Sequence, residues 1–463
     1  MNTAPSLPPV TRELLQEHDK PGPRYTSYPT APEWRKDFGD GEYRAALARA
    51  AEKVDEPLSM YVHLPFCWER CLFCGCNVVI SKRQDVSHDY LAYLYREMAM
   101  GAEALGGRRL VRQLHWGGGT PTYLTVAQME ALFARIARDF TFDAGSEIAL
   151  EVDPRVTSRE QLHALRQMGF NRISMGVQDL DARVQAAIGR NQTAEETQRL
   201  FDWCRDEDFG GINMDLIYGL PEQTPETWET TVRDTIAIRP DRLAVYSYAH
   251  IPNTIKHQRR IEAFPRPEGP DKLDLFVRAR ALFLDAGYRA IGMDHFALPQ
   301  DELAQAMDER RLHRNFMGYT VVPAADMIGF GTSAIGEIGG AYAQNEKRPV
   351  MYYKALEEGR FPTAVGITLS DDDEIRRWVI RQLMCNFHLD FAELADRFGV
   401  DFLHFFHEEL PTLDEYAAKG FLERDDTALD VLPLGQIFIR NVAMVFDAYL
   451  RKPGHFSQFS RTV

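Results

Sequence analysis

Cysteine is scarce in this chain: six in 463 residues, too few for a disulfide scaffold. Positive charge is in deficit, with 53 Lys and Arg against 68 Asp and Glu, a formal balance of −15. A protein that coats a duplex needs a basic surface, so nucleic acid is not an expected partner. A local basic pocket stays compatible with that balance. No run approaches 18 uncharged apolar residues, so no transmembrane helix and no membrane insertion are expected. The opening segment MNTAPSLPPVTRELLQEHDK has no apolar core of the signal-peptide kind. A cytoplasmic chain with reduced thiols is the expectation. Repeats and low-complexity tracts are lacking too. With 45% hydrophobic and 26% charged residues, the composition is that of a folded globular protein. The length allows one large catalytic domain with additions, or several domains.

What is present is a rhythm of short apolar runs and longer helical stretches. Residues 1–58 are rich in proline and charge, and Pro21–Thr30 reads as part of an extended arm. Strands are predicted at Ser59–Leu64, Val111–Trp116, Glu147–Val152, Arg172–Val177, Ile212–Ile217, Arg242–Tyr246 and Tyr288–Ile291. Helices are predicted near 87–105, 125–139, 158–168, 193–207, 225–237 and 270–286. Thr125 with Gln128, Thr157 with Glu160, and Thr193 with Glu196 have capping-box spacing. Thr224-Pro225 places an N-cap before a first-turn proline. Alternating strands and helices make a parallel sheet with right-handed crossovers. The expected fold class is α/β, a partial or full (β/α) barrel, with a doubly wound sheet as the alternative. Either puts chemistry at the C-terminal ends of the strands. Helical stretches near 371–384, 390–397, 400–418 and 434–451 imply a mostly helical C-terminal domain. The expected division is an arm 1–58, a catalytic barrel 59–365 and a helical domain 366–463.

The cysteines are unevenly placed. Cys67, Cys71, Cys74 and Cys76 fall within ten residues, directly after the first strand, while Cys204 and Cys385 stand alone as expected core residues. Three thiolates in one loop can hold three irons of a cubane cluster and leave the fourth open for chemistry. Two plainer readings stay open: zinc with Cys76 as fourth ligand, although the second knuckle of a structural zinc site is missing, and inert buried thiols.

The spacing Cys67-x3-Cys71-x2-Cys74, with Phe73 before the last cysteine, resembles the radical S-adenosylmethionine (SAM) enzymes. The resemblance narrows through Tyr61-Val-His-Leu-Pro-Phe-Cys67, Cys74-Gly-Cys-Asn77, His115-Trp-Gly-Gly-Gly-Thr-Pro-Thr122, Glu151-Val-Asp-Pro154, Ser174-Met-Gly-Val-Gln178, Asp215-Leu-Ile-Tyr-Gly-Leu-Pro221, Gly292-Met-Asp-His-Phe296 and His313-Arg-Asn-Phe316. Together with Pro23–Thr30 these are similar to the oxygen-independent coproporphyrinogen III dehydrogenase family.

The resemblance implies a 4Fe-4S cluster on Cys67, Cys71 and Cys74. It implies SAM contacts from Tyr61, Phe73, Gly118, Gly119, Thr120, Glu151, Gln178, Arg190, Asp215, Ala249 and Ile335. Cys76 is implied to be functional without being a cluster ligand. On physical grounds the glycines of 117–119 let backbone approach a ligand, and their N–H groups can meet a carboxylate. Glu151 lies on the strand face that points into a barrel and there needs a cationic or hydrogen-bonding partner. Taken singly, each of these residues reads as readily as structural.

The family also carries a second SAM near Phe316. Here Met317 stands where the family commonly has glutamine, and methionine cannot donate amide hydrogen bonds. The implied reaction is oxidative decarboxylation of two propionates of coproporphyrinogen III to vinyl groups, giving protoporphyrinogen IX in haem biosynthesis. Adenosyl-radical chemistry would drive it, with an unidentified electron donor and acceptor and a monomeric enzyme expected. A substrate with four carboxylates needs cations, for which Arg24, Arg311, His313 and Arg314 are candidates. The alternatives are a haem-trafficking binding protein and a radical methyltransferase that opens haem.

Overall fold

The computed structural model describes residues 11–322, 326–452, 459 and 461. It comprises two compact units, each assembled from separated stretches of chain. One holds residues 34–267 and 322–368; the other holds 1–33, 268–321 and 369–463. The linear division at 58 and 365 therefore does not match the compact units. The expected arm is split between them, and its first ten residues lie outside the described residues, as do 453–458, 460, 462 and 463 of the expected C-terminal domain.

The first unit is built on six parallel strands: β1 Leu58–Leu64, β2 Val111–Gly118, β3 Glu147–Val152, β4 Arg172–Gln178, β5 Gly211–Tyr218 and β6 Arg242–Ser247. Each pairs in parallel with the next. Their order in space is their order in the chain. A doubly wound sheet reverses direction at a switch point, and this one does not, so the partial (β/α) barrel is the fold. Six of the seven residues of β1 are buried, as expected of a strand covered on both faces.

Helices Asp85–Leu105, Val126–Asp139, Arg159–Gln167, Ala194–Asp206 and Pro225–Ile238 fill the crossovers. The capping boxes at Thr125, Thr193 and Thr224 are formed. The box predicted at Thr157 is shifted by one: Ser158 caps and Gln161 reciprocates. Thr157 instead donates its hydroxyl to the Asp153 carbonyl at 2.9 Å, buried inside the loop.

On the other side of β1 the sheet is extended by strands that were not foreseen. β7 Asp326–Phe330 adds parallel to β1 on the side away from β2. β8 Ile335–Ile338, β9 Ala341–Asn345 and β10 Thr363–Thr368 then continue antiparallel. Helix Asp40–Ala51, where an extended arm was expected, buries Tyr43, Ala46, Leu47 and Ala50, a helical i, i+3, i+4, i+7 spacing. Arg108 is fully buried; it donates to Asp326 at 2.6 Å and to the carbonyls of Ala50 and Glu56 at 2.9 Å each.

In the second unit, helix Asp371–Asn386 is capped by Ser370 and carries four acidic residues in its first turn, which suits the positive end of the helix dipole. The predicted helix 400–418 is two helices, Phe402–Phe405 and Leu410–Ala418, with Pro411 opening the second. The stretch 434–451 is likewise broken into Pro433–Ile437, Ile439–Met444 and a 3₁₀ turn. Three short strands, ordered His388–Asp390, Ala428–Val431, Leu422–Arg424, complete this part. Residues 21–30 pack onto it rather than extending freely. Tyr25 and Tyr28 are buried, Tyr25 donates to Asp447 at 2.9 Å, and Arg440 donates to the Pro23 carbonyl at 2.9 Å. Among the described residues no helix is long and apolar enough to cross a membrane.

Candidate active site

β1 runs through Pro65 into Phe66–Cys67, which pairs in parallel with Val79–Ile80. The cysteine loop therefore leaves and returns at one place, beside the C-terminal end of β1. Leu72 pins it from within. Its side chain is buried with Val184, Ile188, Ile217, Leu220, Tyr248 and Ile261, and its N–H donates to the Ile188 carbonyl at 2.8 Å.

All six cysteines are free; Cys71 is buried, Cys67 and Cys74 half-buried and Cys76 exposed, while Cys204 and Cys385 lie in the core as expected. The three expected ligands have distinct partners. Cys67 Sγ lies 3.6 Å from the Thr120 hydroxyl. Cys71 Sγ accepts from Arg190 Nη1 at 3.5 Å and Arg155 Nη2 at 3.8 Å. Cys74 Sγ accepts the backbone N–H of Cys76 at 3.4 Å. Burial pushes the Cys67 thiol up to about 12. A hydrogen bond from Cys76, helped by Arg190 and Arg70, pulls Cys74 down to about 7 against burial. Among the described residues no three Cys, His, Asp or Glu side chains converge on a single-ion site. A cubane cluster takes each thiolate on its own iron, and three free thiols in one loop are donors of that type.

Beside the loop, one level of the sheet reads across strands. Ile335 of β8 packs its carbonyl against Gly329 of β7, where a Cβ would approach to 2.4 Å. Gly329 pairs with Tyr61, Tyr61 with His115, and His115 with Ala149. The Tyr61 ring stacks on His115 at 6.1 Å. Burial lowers the His63 pKa, so the ring is neutral near pH 7. Its Nε2 faces the Asn77 carbonyl at 3.0 Å, so Nε2 carries the proton and Nδ1 accepts from the Tyr61 hydroxyl at 3.0 Å.

Glu151, at the end of β3, accepts the Gly118 N–H at 3.0 Å and faces His115 Nε2 at 3.5 Å. Burial raises its pKa, but His115, the Gly118 N–H and His63 outweigh that and hold the carboxyl below its ordinary value. The side chain keeps 42% of its surface accessible. Two residues further along, Glu151 pairs with Ser174 and Ser174 with Asn213. There the Asn213 amide donates to Asp215 at 2.7 Å and to Ser174 at 2.9 Å.

The glycine loop departs from expectation in one respect. The N–H groups of Gly118, Gly119 and Thr120 are taken by Glu151, the Leu64 carbonyl and the Phe66 carbonyl. They cannot also meet a ligand carboxylate. The glycines are required for close approach instead: a Cβ on Gly119 would lie 2.6 Å from the Phe66 carbonyl oxygen.

Gln178 ends β4 in left-handed conformation, φ 70°. Arg190 reaches back beneath it, with Nη2 donating to the Gly176 carbonyl at 2.8 Å. Sequence reasoning missed Gln258. Its buried amide donates to the carbonyls of Phe73 at 3.0 Å and Ala249 at 3.1 Å, and its Oε1 accepts from the Ile251 N–H at 2.7 Å. His257 Nε2, next to it, bonds the Cys74 carbonyl at 2.8 Å. One short 3₁₀ segment thus fastens the cysteine loop to the end of β6. It carries no motif that could have revealed this.

The remaining candidates, Arg24, Arg311, His313, Arg314, Phe316 and Met317, belong to the second unit. Phe316 and Met317 form the two-residue tip of a hairpin, and the Met317 N–H donates to Asn315 at 2.8 Å. Arg314 lies over the Tyr319 ring at 5.2 Å and donates to the Arg24 carbonyl at 2.8 Å. Arg311 is 60% exposed and paired with Glu309, a solvated position. Burial and the charges of Arg381, Arg311 and Arg397 lower the His313 pKa.

The chain is similar to known proteins along nearly its whole length. Residues 61–235 match the radical SAM superfamily and 369–438 the HemN C-terminal domain. The oxygen-independent coproporphyrinogen III oxidase of Escherichia coli K12 is 44% identical over 97% of this chain and 98% of its own length. That of Pseudomonas aeruginosa is 42% identical over 97% and 98%. The solved E. coli coproporphyrinogen III oxidase (HemN), described as a radical SAM enzyme, superposes with a TM-score of 0.88 at 44% identity, covering 92% of this chain and 97% of that one. The chain is thus a radical SAM oxidoreductase, and it belongs to the oxygen-independent coproporphyrinogen III oxidase family.

Proposed function

We propose that this chain converts coproporphyrinogen III to protoporphyrinogen IX without oxygen. The observation that carries the reading is the open cysteine loop at the C-terminal end of β1, in a chain similar along nearly its whole length to enzymes named for this substrate. The same likeness favours this reading over haem trafficking or a haem-opening methyltransferase. At each of two propionates, –CH2CH2COO⁻ loses a hydrogen atom, carbon dioxide and one electron to become a vinyl group. The cluster and SAM, when bound, supply the hydrogen-abstracting radical, and the protein supplies placement and water exclusion.

Cys67, Cys71 and Cys74 hold the cluster in this reading. Glu151, ionised and partly exposed, receives a cationic or hydroxyl group of SAM. The N–H groups of the glycine loop are engaged within the protein, so the loop is suited to offer carbonyl acceptors to an ammonium. Tyr61, Gln178, Arg190 and Asp215 frame the rest, and Gln258 holds the Phe73 and Ala249 backbone where adenine would lie. Cys76 serves turnover without holding iron. A second SAM at Phe316–Met317, substrate carboxylates at Arg24, Arg314 and His313, a monomeric state, an external electron donor and acceptor, and a cytoplasmic location complete the proposal. In it 59–365 carries the chemistry, flanked by 1–58 and 366–463. Anaerobic incubation with SAM, reductant and coproporphyrinogen III should yield protoporphyrin-type product. SAM cleavage without that product would overturn the reading.

A further inference from the structure

Arg155 belongs to none of the motifs, yet its guanidinium is among the most firmly held in the molecule. Nε donates to Asp153 Oδ1 at 3.0 Å, Nη2 to Asp153 Oδ2 at 2.6 Å, and Nη1 to the Arg190 carbonyl at 2.6 Å. With the fork so fixed, Nη2 also lies 3.8 Å from Cys71 Sγ. On the same sulfur, Arg190 Nη1 stands at 3.5 Å, held by Gln192 and the Gly176 carbonyl. Asp153 pairs with both arginines, so one carboxylate and two guanidinia leave a net positive charge beside a single cysteine. Neither Cys67 nor Cys74 has a guanidinium among its described hydrogen-bond partners, although Arg190 and Arg70 act on Cys74 as charges.

We infer that Arg155 sets the reduction potential of the cluster through its contact with Cys71. The inference rests on the reading of Cys71 as a cluster ligand. Reduction adds one electron to the cluster, from a low-potential one-electron carrier, without making or breaking a bond. The added charge spreads onto the sulfurs. Positive charge and N–H donors at a ligating sulfur favour the reduced state, as outer partners of metal ligands do in general. Asp153 supports Arg155 from behind and keeps the fork from turning to solvent.

The test uses the reconstituted full chain with Arg155→Met and Arg155→Lys. Methionine fills similar length without charge or donors; lysine keeps the charge but loses the planar fork. Iron and sulfide content is measured first, then the midpoint potential by a titration with dithionite followed by electron paramagnetic resonance. Both variants should keep the iron and sulfide of the wild type. In Arg155→Met the ratio of reduced to oxidised cluster at a fixed ambient potential should fall about tenfold, which is about 59 mV for a one-electron couple. Arg155→Lys should fall between. An unchanged midpoint in a loaded Arg155→Met overturns the inference. Loss of the cluster from both variants also overturns it, because Arg155 would then build the loop rather than tune it. The underlying reading fails separately: Cys71→Ser with wild-type iron content would remove Cys71 from the ligand set whatever Arg155 does.

Discussion

At the scale of single residues, the cysteine loop separates roles that the sequence could only crowd together. Cys67, Cys71 and Cys74 each have a different partner, while Cys76 is exposed and touches Cys74 through its own backbone and thiol. Serine at position 67, 71 or 74 should abolish iron loading, read by iron and sulfide analysis. Cys76→Ser should keep the iron and lose decarboxylation. A Cys76→Ser protein that loses its iron would make Cys76 a ligand after all. Glu151 gives a second prediction at this scale. Glu151→Gln keeps the shape but removes a carboxylate held ionised by His115 and Gly118. A charge-assisted hydrogen bond is worth about 1.5–3 kcal/mol, so SAM binding by calorimetry should weaken by roughly ten- to a hundredfold. An unaltered affinity would place SAM elsewhere.

At the scale of elements, two buried polar clusters join strands the sequence did not announce. Arg108 bridges Asp326 at the start of β7 to the end of helix Asp40–Ala51. Removing one partner of a buried pair costs about 3–5 kcal/mol, so Arg108→Met should lower stability by about that much in chemical denaturation. Glu97, in helix Asp85–Leu105, accepts from the Gly331 N–H, the Asn345 amide and the Tyr352 hydroxyl. Burial pushes its carboxyl up to about 7 despite those donors. A carboxyl raised on folding binds its proton more tightly in the folded state. Its proton-linked stabilisation is therefore complete below the unfolded value of 4.5 and disappears as pH rises through about 7. Relative to Glu97→Gln, the wild type should gain stability from pH 8 to pH 5. A constant difference would mean Glu97 is already charged across that range.

The legibility of elements follows the same division. β1 to β6 were readable because strands buried on both faces must be apolar runs, and their crossover helices start at capping residues whose chemistry is local. β7 to β10 were not. They are short, and Gly329, Gly331 and Gly336 lie in or between them, where backbone packs on backbone or on a neighbouring side chain. Gly119 is the same device at the site itself. Gly119→Ala should force Phe66 away and cost cluster loading, whereas Gly41→Ala, with open space around its Cβ, should not.

At the scale of the whole molecule, the two units are each discontinuous in sequence. Residues 18–30 are fixed by Arg440, Asn441 and Asp447 from the far end of the chain. Two propionates become vinyl groups in the proposed turnover, so two SAM molecules should be cleaved per protoporphyrinogen formed, measured as 5′-deoxyadenosine against product. A ratio of one would leave the reaction half complete.

The sequence by itself determined the cysteine spacing, the alternation of strands with crossover helices and the family, while the spatial order of the six central strands came with the structure. Ligand spacing, capping and apolar runs are local properties, and locality is what a linear text preserves. The tertiary structure alone decided which groups attend those ligands. Gln258 reaches Phe73 across 185 residues, and Arg190 reaches Cys71 across 119. Such contacts arise because buried carbonyls and sulfurs must find donors wherever the fold brings them, and no spacing rule in the chain encodes where that will be.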